Sequence, residues 1–156
     1  MAGLQKKVRT CLWFEKGGVK AAEFYVSLLP DSRIDAVFEH GNAADPMVVE
    51  YMLGGAPMMH LTAGPMYKMT PAASISVLTK DQAETDRLWQ ALLEGGGEDS
   101  RCGWLADRFG VSWQIVPEKM VRLFHDTDQV AAARARAAML EMRKIDIAAI
   151  EAAFAG

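Results

Sequence analysis

The chain has 156 residues, of which 51% are hydrophobic and 24% charged, with 17 Lys+Arg against 20 Asp+Glu for a formal net charge of −3. This balance excludes an intrinsically disordered chain, a low-complexity polymer and a basic nucleic-acid-binding tail, and nothing in it draws the chain to an anionic membrane surface. A chain of this length buries roughly two-thirds of its unfolded surface, enough for a core without staples.

In chain order, Met1–Lys7 is followed by no apolar stretch, so no signal peptide is expected, and a cytoplasmic location follows as the default. Val8–Phe14 is a short β-favourable run. Apolar residues at Ala21, Phe24, Tyr25, Leu28 and Leu29 then keep the spacing of an amphipathic helix, which should begin near Gly17-Gly18. Strand-like stretches follow at 34–39, 47–53 and 57–62, separated by turn signals at Gly41-Asn42, Asp45-Pro46 and Gly54-Gly55.

A shift of 64 residues repeats the pattern. Residues 72–78 fall opposite 8–14, and Thr85, Leu88, Trp89, Leu92 and Leu93 repeat the helical stripe. Asp81 and Glu84 fit a capping box at the start of that second helix. Runs near 100–105, 107–109 and 111–116 read as the strands that follow. Each half therefore reads β-α-β-β-β, the mark of a tandem repeat.

Beyond Pro117, Lys119–His125 suits a short helical turn. Asp128 can cap an Ala-rich helix running to about Lys144, and Asp146 a last helix with Ile147, Ile150 and Phe154 on one face. The expected fold class is α+β, with two tandem βαβββ modules at about 6–64 and 72–117. Helices at about 118–155 complete one domain spanning 1–156.

Certain stretches carry a resemblance. Phe24-Tyr25, Leu29-Pro30-Asp31-Ser32-Arg33-Ile34 and the long run from Arg101-Cys102-Gly103-Trp104 to Gln114-Ile115-Val116-Pro117 resemble the PhnB-like family. Its members are often labelled 3-demethylubiquinone-9 3-methyltransferase-type. They fall in the vicinal oxygen chelate superfamily, with glyoxalase I, extradiol dioxygenases and bleomycin- and fosfomycin-resistance proteins. The resemblance extends into the tail, over 142–149. It implies glyoxalase/bleomycin resistance-like modules whose curled sheets enclose a pocket, and a homodimer. It does not fix an activity, because one fold carries several chemistries.

In the superfamily's enzymes His and Glu from the first and last strands of each module hold a divalent ion. Here those positions offer Thr10 or Leu12, Met59 or His60, Ser74 or Ser76, and Gln114. Only His60 is a strong donor, so no metal or other cofactor is expected, and a metal-bound form is the lesser alternative. Met58, His60 and Thr62 share one strand face. If it lines the pocket, His60 is a candidate general base or hydrogen-bond partner; otherwise it is a structural histidine. Glu50 is the other candidate base if it faces the pocket, and a solvated carboxylate if it does not.

His40 looks like a turn residue and His125 a solvent-facing one. Cys11 and Cys102 read as small buried hydrophobes, with Cys102 a candidate at the pocket rim. Trp104 can supply a stacking wall and Gln114 a neutral amide. Alternation keeps Trp113 and Gln114 on opposite faces. Six methionines between 47 and 69 suit adaptable walls as well as core gaps.

The methyltransferase label finds no support in the residues, because Gly54-Gly55 joins two strands and Gly95-Gly96-Gly97 follows a helix. The expected ligand-binding set is His60, Gln114, Trp104, Glu50 and Cys102. The expected ligand is a small apolar or aromatic molecule, with no nucleic-acid or membrane partner. Whether the protein is an enzyme stays open: a metal-dependent lyase, isomerase or dioxygenase and a ligand-free interaction module are the alternatives.

Overall fold

A computed structural model of the chain describes residues 7–39 and 45–156. His40 and the turn expected at Gly41-Asn42 lie outside the described residues, as do Met1–Lys6. The chain divides into two compact units, Met1–Met69 and Thr70–Gly156.

The first unit runs β1 (Thr10–Phe14), α1 (Gly18–Leu28), β2 (Arg33–Phe38), β3 (Val48–Leu53) and β4 (Ala56–Thr62). Its sheet has the order β1-β4-β3-β2, with β1 parallel to β4 and the other pairs antiparallel. The helix starts where the sequence suggests, but without a side-chain cap of its own. Gly17 instead takes a left-handed φ of 74°, and its amide donates to both oxygens of Asp45, at 3.1 and 3.2 Å. Gly18, Ala21, Ala22, Tyr25 and Leu28 form the buried stripe. Gly18 is there for close approach, since a Cβ at that position would run into the Thr62 hydroxyl.

The second unit contains β5 (Ser74–Thr79), α2 (Gln82–Leu93), β6 (Glu98–Asp99), β7 (Trp104–Ala106) and β8 (Ser112–Pro117). Three helices follow: α3 (Glu118–Phe124), α4 (Gln129–Leu140) and α5 (Ile147–Ala155). The sheet order is β5-β8-β7-β6, again with the first pair parallel. The capping box forms as expected: the Glu84 amide donates to Asp81 Oδ1 at 2.8 Å, and Glu84 Oε2 accepts from the Lys80 amide. Thr85, Leu88, Trp89 and Leu92 are buried on α2, and Val77, Leu105, Trp113 and Ile115 are buried on the strands it packs against.

Three stretches differ from expectation, each for a local reason. Strand character near 100–105 is confined to Trp104 onward, because Cys102 and Gly103 adopt left-handed φ values of 58° and 80°. Residues 107–109 form a turn and not a strand. The Asp107 carboxylate accepts from the Phe109 and Val111 amides and from Trp113 Nε1, at 2.8, 3.1 and 2.9 Å. Helix α4 stops at Leu140, short of Lys144. Past that end the carbonyls of Met142 and Arg143 accept from the Cys102 and Gly103 amides, and Ile145 is fully buried. The tail thereby pins the turn that precedes Trp104.

The two modules are not related by one uniform shift. The buried helix positions Ala21, Tyr25 and Leu28 match Thr85, Trp89 and Leu92 at 64. Phe14 packs beneath α1 against His60, whereas Thr79 is bonded to Thr85 on α2, so the strands correspond by side-chain direction at 65. The turn between β1 and α1 holds the extra residue. In a strand a one-residue offset exchanges the two faces, which decides where the candidate residues point.

Candidate functional site

His60 lies on the face of its sheet that α1 covers, and it is 0% exposed. Its Nδ1 sits 2.8 Å from the Gly18 carbonyl, which can only accept, so Nδ1 carries the proton. Nε2 is therefore the acceptor for the Tyr51 hydroxyl at 2.6 Å. Phe14 and Tyr25 close around the ring. Burial holds the imidazole down at about 4, against an ordinary value of 6.5, and the bond to Gly18 opposes this only in part. With both nitrogens engaged and no solvent contact, His60 clamps helix to sheet. The candidate general base of the sequence reading is thus placed in the core, away from the open face.

The opposite face of the first sheet is turned away from α1. Register places Cys11, Trp13, Val48, Glu50, Met59 and Leu61 there. Glu50 does share this face, but Arg9 reaches across β4 to pair with it at 2.6 Å. The sequence reading missed Arg9 because the partners are distant in the chain. Cys11 is exposed, not buried as expected. Lost hydration pushes its thiol above the ordinary value, partly opposed by Arg9. A thiol held protonated is a poor nucleophile. Trp13 is committed locally, its Nε1 donating to the Gly64 carbonyl at 2.8 Å and its ring meeting Tyr67 edge-on at 4.9 Å. The methionines divide: Met52 and Met58 are buried, Met59 is half-buried on the open face, and Met47 and Met66 are exposed.

On the second sheet the open face carries Ser74, Ser76 and Leu78 from β5, Ser112 and Gln114 from β8, and Trp104 and Ala106 from β7. Gln114 Nε2 donates to Ser74 Oγ at 2.7 Å. Trp104 is the register partner of Gln114, so its ring and the amide are neighbours on one surface. Trp113 points the other way into the core, as alternation requires, at 1% exposure. An open groove of about 520 Å³ borders this surface, lined by Pro71, Arg101, Cys102, Trp104, Ala106 and Ser112 among others. Cys102 enters it from a strained left-handed position. Three of the five expected ligand-binding residues, Gln114, Trp104 and Cys102, thus lie in the second unit, and Glu50 and His60 on opposite faces of the first sheet. Ser74 was considered in the sequence only as a metal-ligand position. Its pairing with Gln114 depends on strand register, which no local signal reveals.

The donor set does not suit the divalent ion of the superfamily's enzymes. On the open faces, the first- and last-strand positions supply Cys11, Met59, Ser74, Ser76 and Gln114, with neither imidazole nor carboxylate. The one strong donor, His60, faces the helix. Among the described residues no group of three or more His, Cys, Asp or Glu side chains is placed to hold a metal ion. Nor is any helix among them long and apolar enough to cross a membrane.

Comparison with known proteins agrees with this architecture. The family described as 3-demethylubiquinone-9 3-methyltransferase matches residues 6–116, and the match stops short of the helical tail. A PhnB protein from Bacillus cereus is similar at 26% identity and TM-score 0.65, over 72% of this chain and 99% of its own. A Pseudomonas aeruginosa protein has 24% identity and TM-score 0.61, over 73% and 98%. The fosfomycin resistance protein FosX from Mesorhizobium loti shares the fold at 11% identity and TM-score 0.52, over 84% and 99%. No curated protein matches. With two βαβββ units and a family match over most of its length, the chain belongs to the PhnB-like family described as 3-demethylubiquinone-9 3-methyltransferase.

Proposed function

We propose that the protein binds a small, largely apolar or aromatic molecule on the open face of its second sheet, without a metal, and acts as a homodimer. The observation that carries this reading is the Ser74–Gln114 pair beside Trp104, with a groove along the same strands. Trp104 gives a flat apolar wall and the amide a neutral polar anchor, the usual make-up of a small-molecule site. The donor set described above counts against the metal-dependent lyase, isomerase or dioxygenase reading.

Methyl transfer is disfavoured by the glycines. Gly54-Gly55 turns between β3 and β4, and Gly95–Gly97 follows α2. Gly17 does precede a helix, but the Asp45 carboxylate already occupies its amide, where a phosphate- or ribose-binding turn needs free donors.

A thermal-shift screen of the full chain with quinones, phenols and naphthols, with and without chelator, tests the reading. Stabilisation that survives chelation is expected. The absence of any shift would count for a ligand-free interaction module, and a shift that requires nickel, zinc, manganese or iron would support the metal-dependent enzyme.

A further inference from the structure

The binding surface itself points to a narrower class of ligand, an inference that rests on the site proposed above. We propose that the Ser74–Gln114 pair selects a planar, uncharged ring with a hydrogen-bond donor and an acceptor side by side on one edge, as in a cyclic amide.

Each side chain keeps hydrogen-bonding capacity after the two bond to each other. A serine hydroxyl has one proton and lone pairs to accept with; a glutamine amide has an accepting oxygen and a donating nitrogen. As placed, Gln114 Nε2 donates one of its two protons to Ser74 Oγ, so the other Nε2 proton, the Ser74 proton and Gln114 Oε1 remain. With the amide turned over, the Ser74 proton would be used on Oε1, leaving the Gln114 nitrogen as donor and the Ser74 oxygen as acceptor. Either way the pair keeps both donors and acceptors side by side, so it can serve an acceptor and a donor at once. The complementary edge is an acceptor next to a donor.

The surroundings set the rest of the class. The other side chains on the open faces of β5, β7 and β8 near the pair are Ser76, Leu78, Ser112, Trp104 and Ala106, and none is charged. A carboxylate or phosphate placed there would lose hydration without meeting a counter-charge. A bare hydrocarbon ring would strip water from the pair and leave its remaining donors and acceptors unsatisfied. A cyclic amide returns both bonds, and its flat ring can lie on Trp104, the register partner of Gln114. The charged residues along the groove are Arg101, Glu98 and Asp99, and Asp99 is already paired with Arg143 at 2.9 Å.

The test is a calorimetric titration of the full chain with three probes of nearly equal shape: 2-quinolone, N-methyl-2-quinolone and naphthalene. 2-Quinolone should bind at least about tenfold more tightly than the other two, since each of them lacks one or both halves of the edge. Gln114→Leu should erase that preference while keeping the weaker affinity for naphthalene. Trp104→Ala should weaken all three alike. Melting curves of both variants establish that they are folded. Equal binding of the three probes, or a preference unchanged in Gln114→Leu, overturns the proposal and leaves the general aromatic-binding reading standing. Failure of all three probes overturns both.

Discussion

At the scale of single residues the most consequential one is His60. Its folded value of about 4 lies below the ordinary 6.5, so between those values the unfolded chain binds more protons than the folded one. The contribution of neutral His60 is therefore complete above about pH 6.5 and is lost as pH falls toward 4. Between pH 7.5 and pH 5 this should remove about 2 kcal/mol of stability. Urea unfolding of the wild type against His60→Leu checks it, the variant lacking that part of the slope. Removing the hydroxyl in Tyr51→Phe leaves Nε2 buried without a donor, and should cost about 1–3 kcal/mol at neutral pH. The alternation that groups Met58, His60 and Thr62 was legible in the chain. Which of the two faces α1 covers was not, because that depends on one extra residue in the turn after Phe14.

At the scale of elements, helix starts were the most legible feature, since capping chemistry is local. Asp81→Ala should destabilise the second unit by about 1 kcal/mol, read from the urea midpoint. Strand limits between 98 and 112 were the least legible. There the backbone is governed by a distant segment, the chain after α4, through the amides of Cys102 and Gly103 and the buried Ile145. Ile145→Ala should cost about 2–5 kcal/mol. It should also raise amide exchange at residues 102–104, because Ile145 packs directly beneath Gly103. Unchanged exchange there would mean that the tail does not hold the Trp104 turn.

At the scale of the whole molecule, the repeat was readable because each module must bury one helix stripe on one sheet face, and the periods of helix and strand record that need. The proposed ligand surface was readable only in fragments. Gln114 and Trp104 could be nominated singly, but Ser74 lies 40 positions from Gln114 and joins it only through the parallel pairing of β5 and β8. A chain that binds an aromatic molecule there without a metal makes a simple joint prediction. Calorimetric titration of the chelator-treated protein with 2-quinolone should give saturable binding that is unchanged by added zinc or nickel and weakened at least about tenfold in Trp104→Ala. Binding that appears only when a divalent metal is restored, or that is indifferent to Trp104→Ala, would contradict the account.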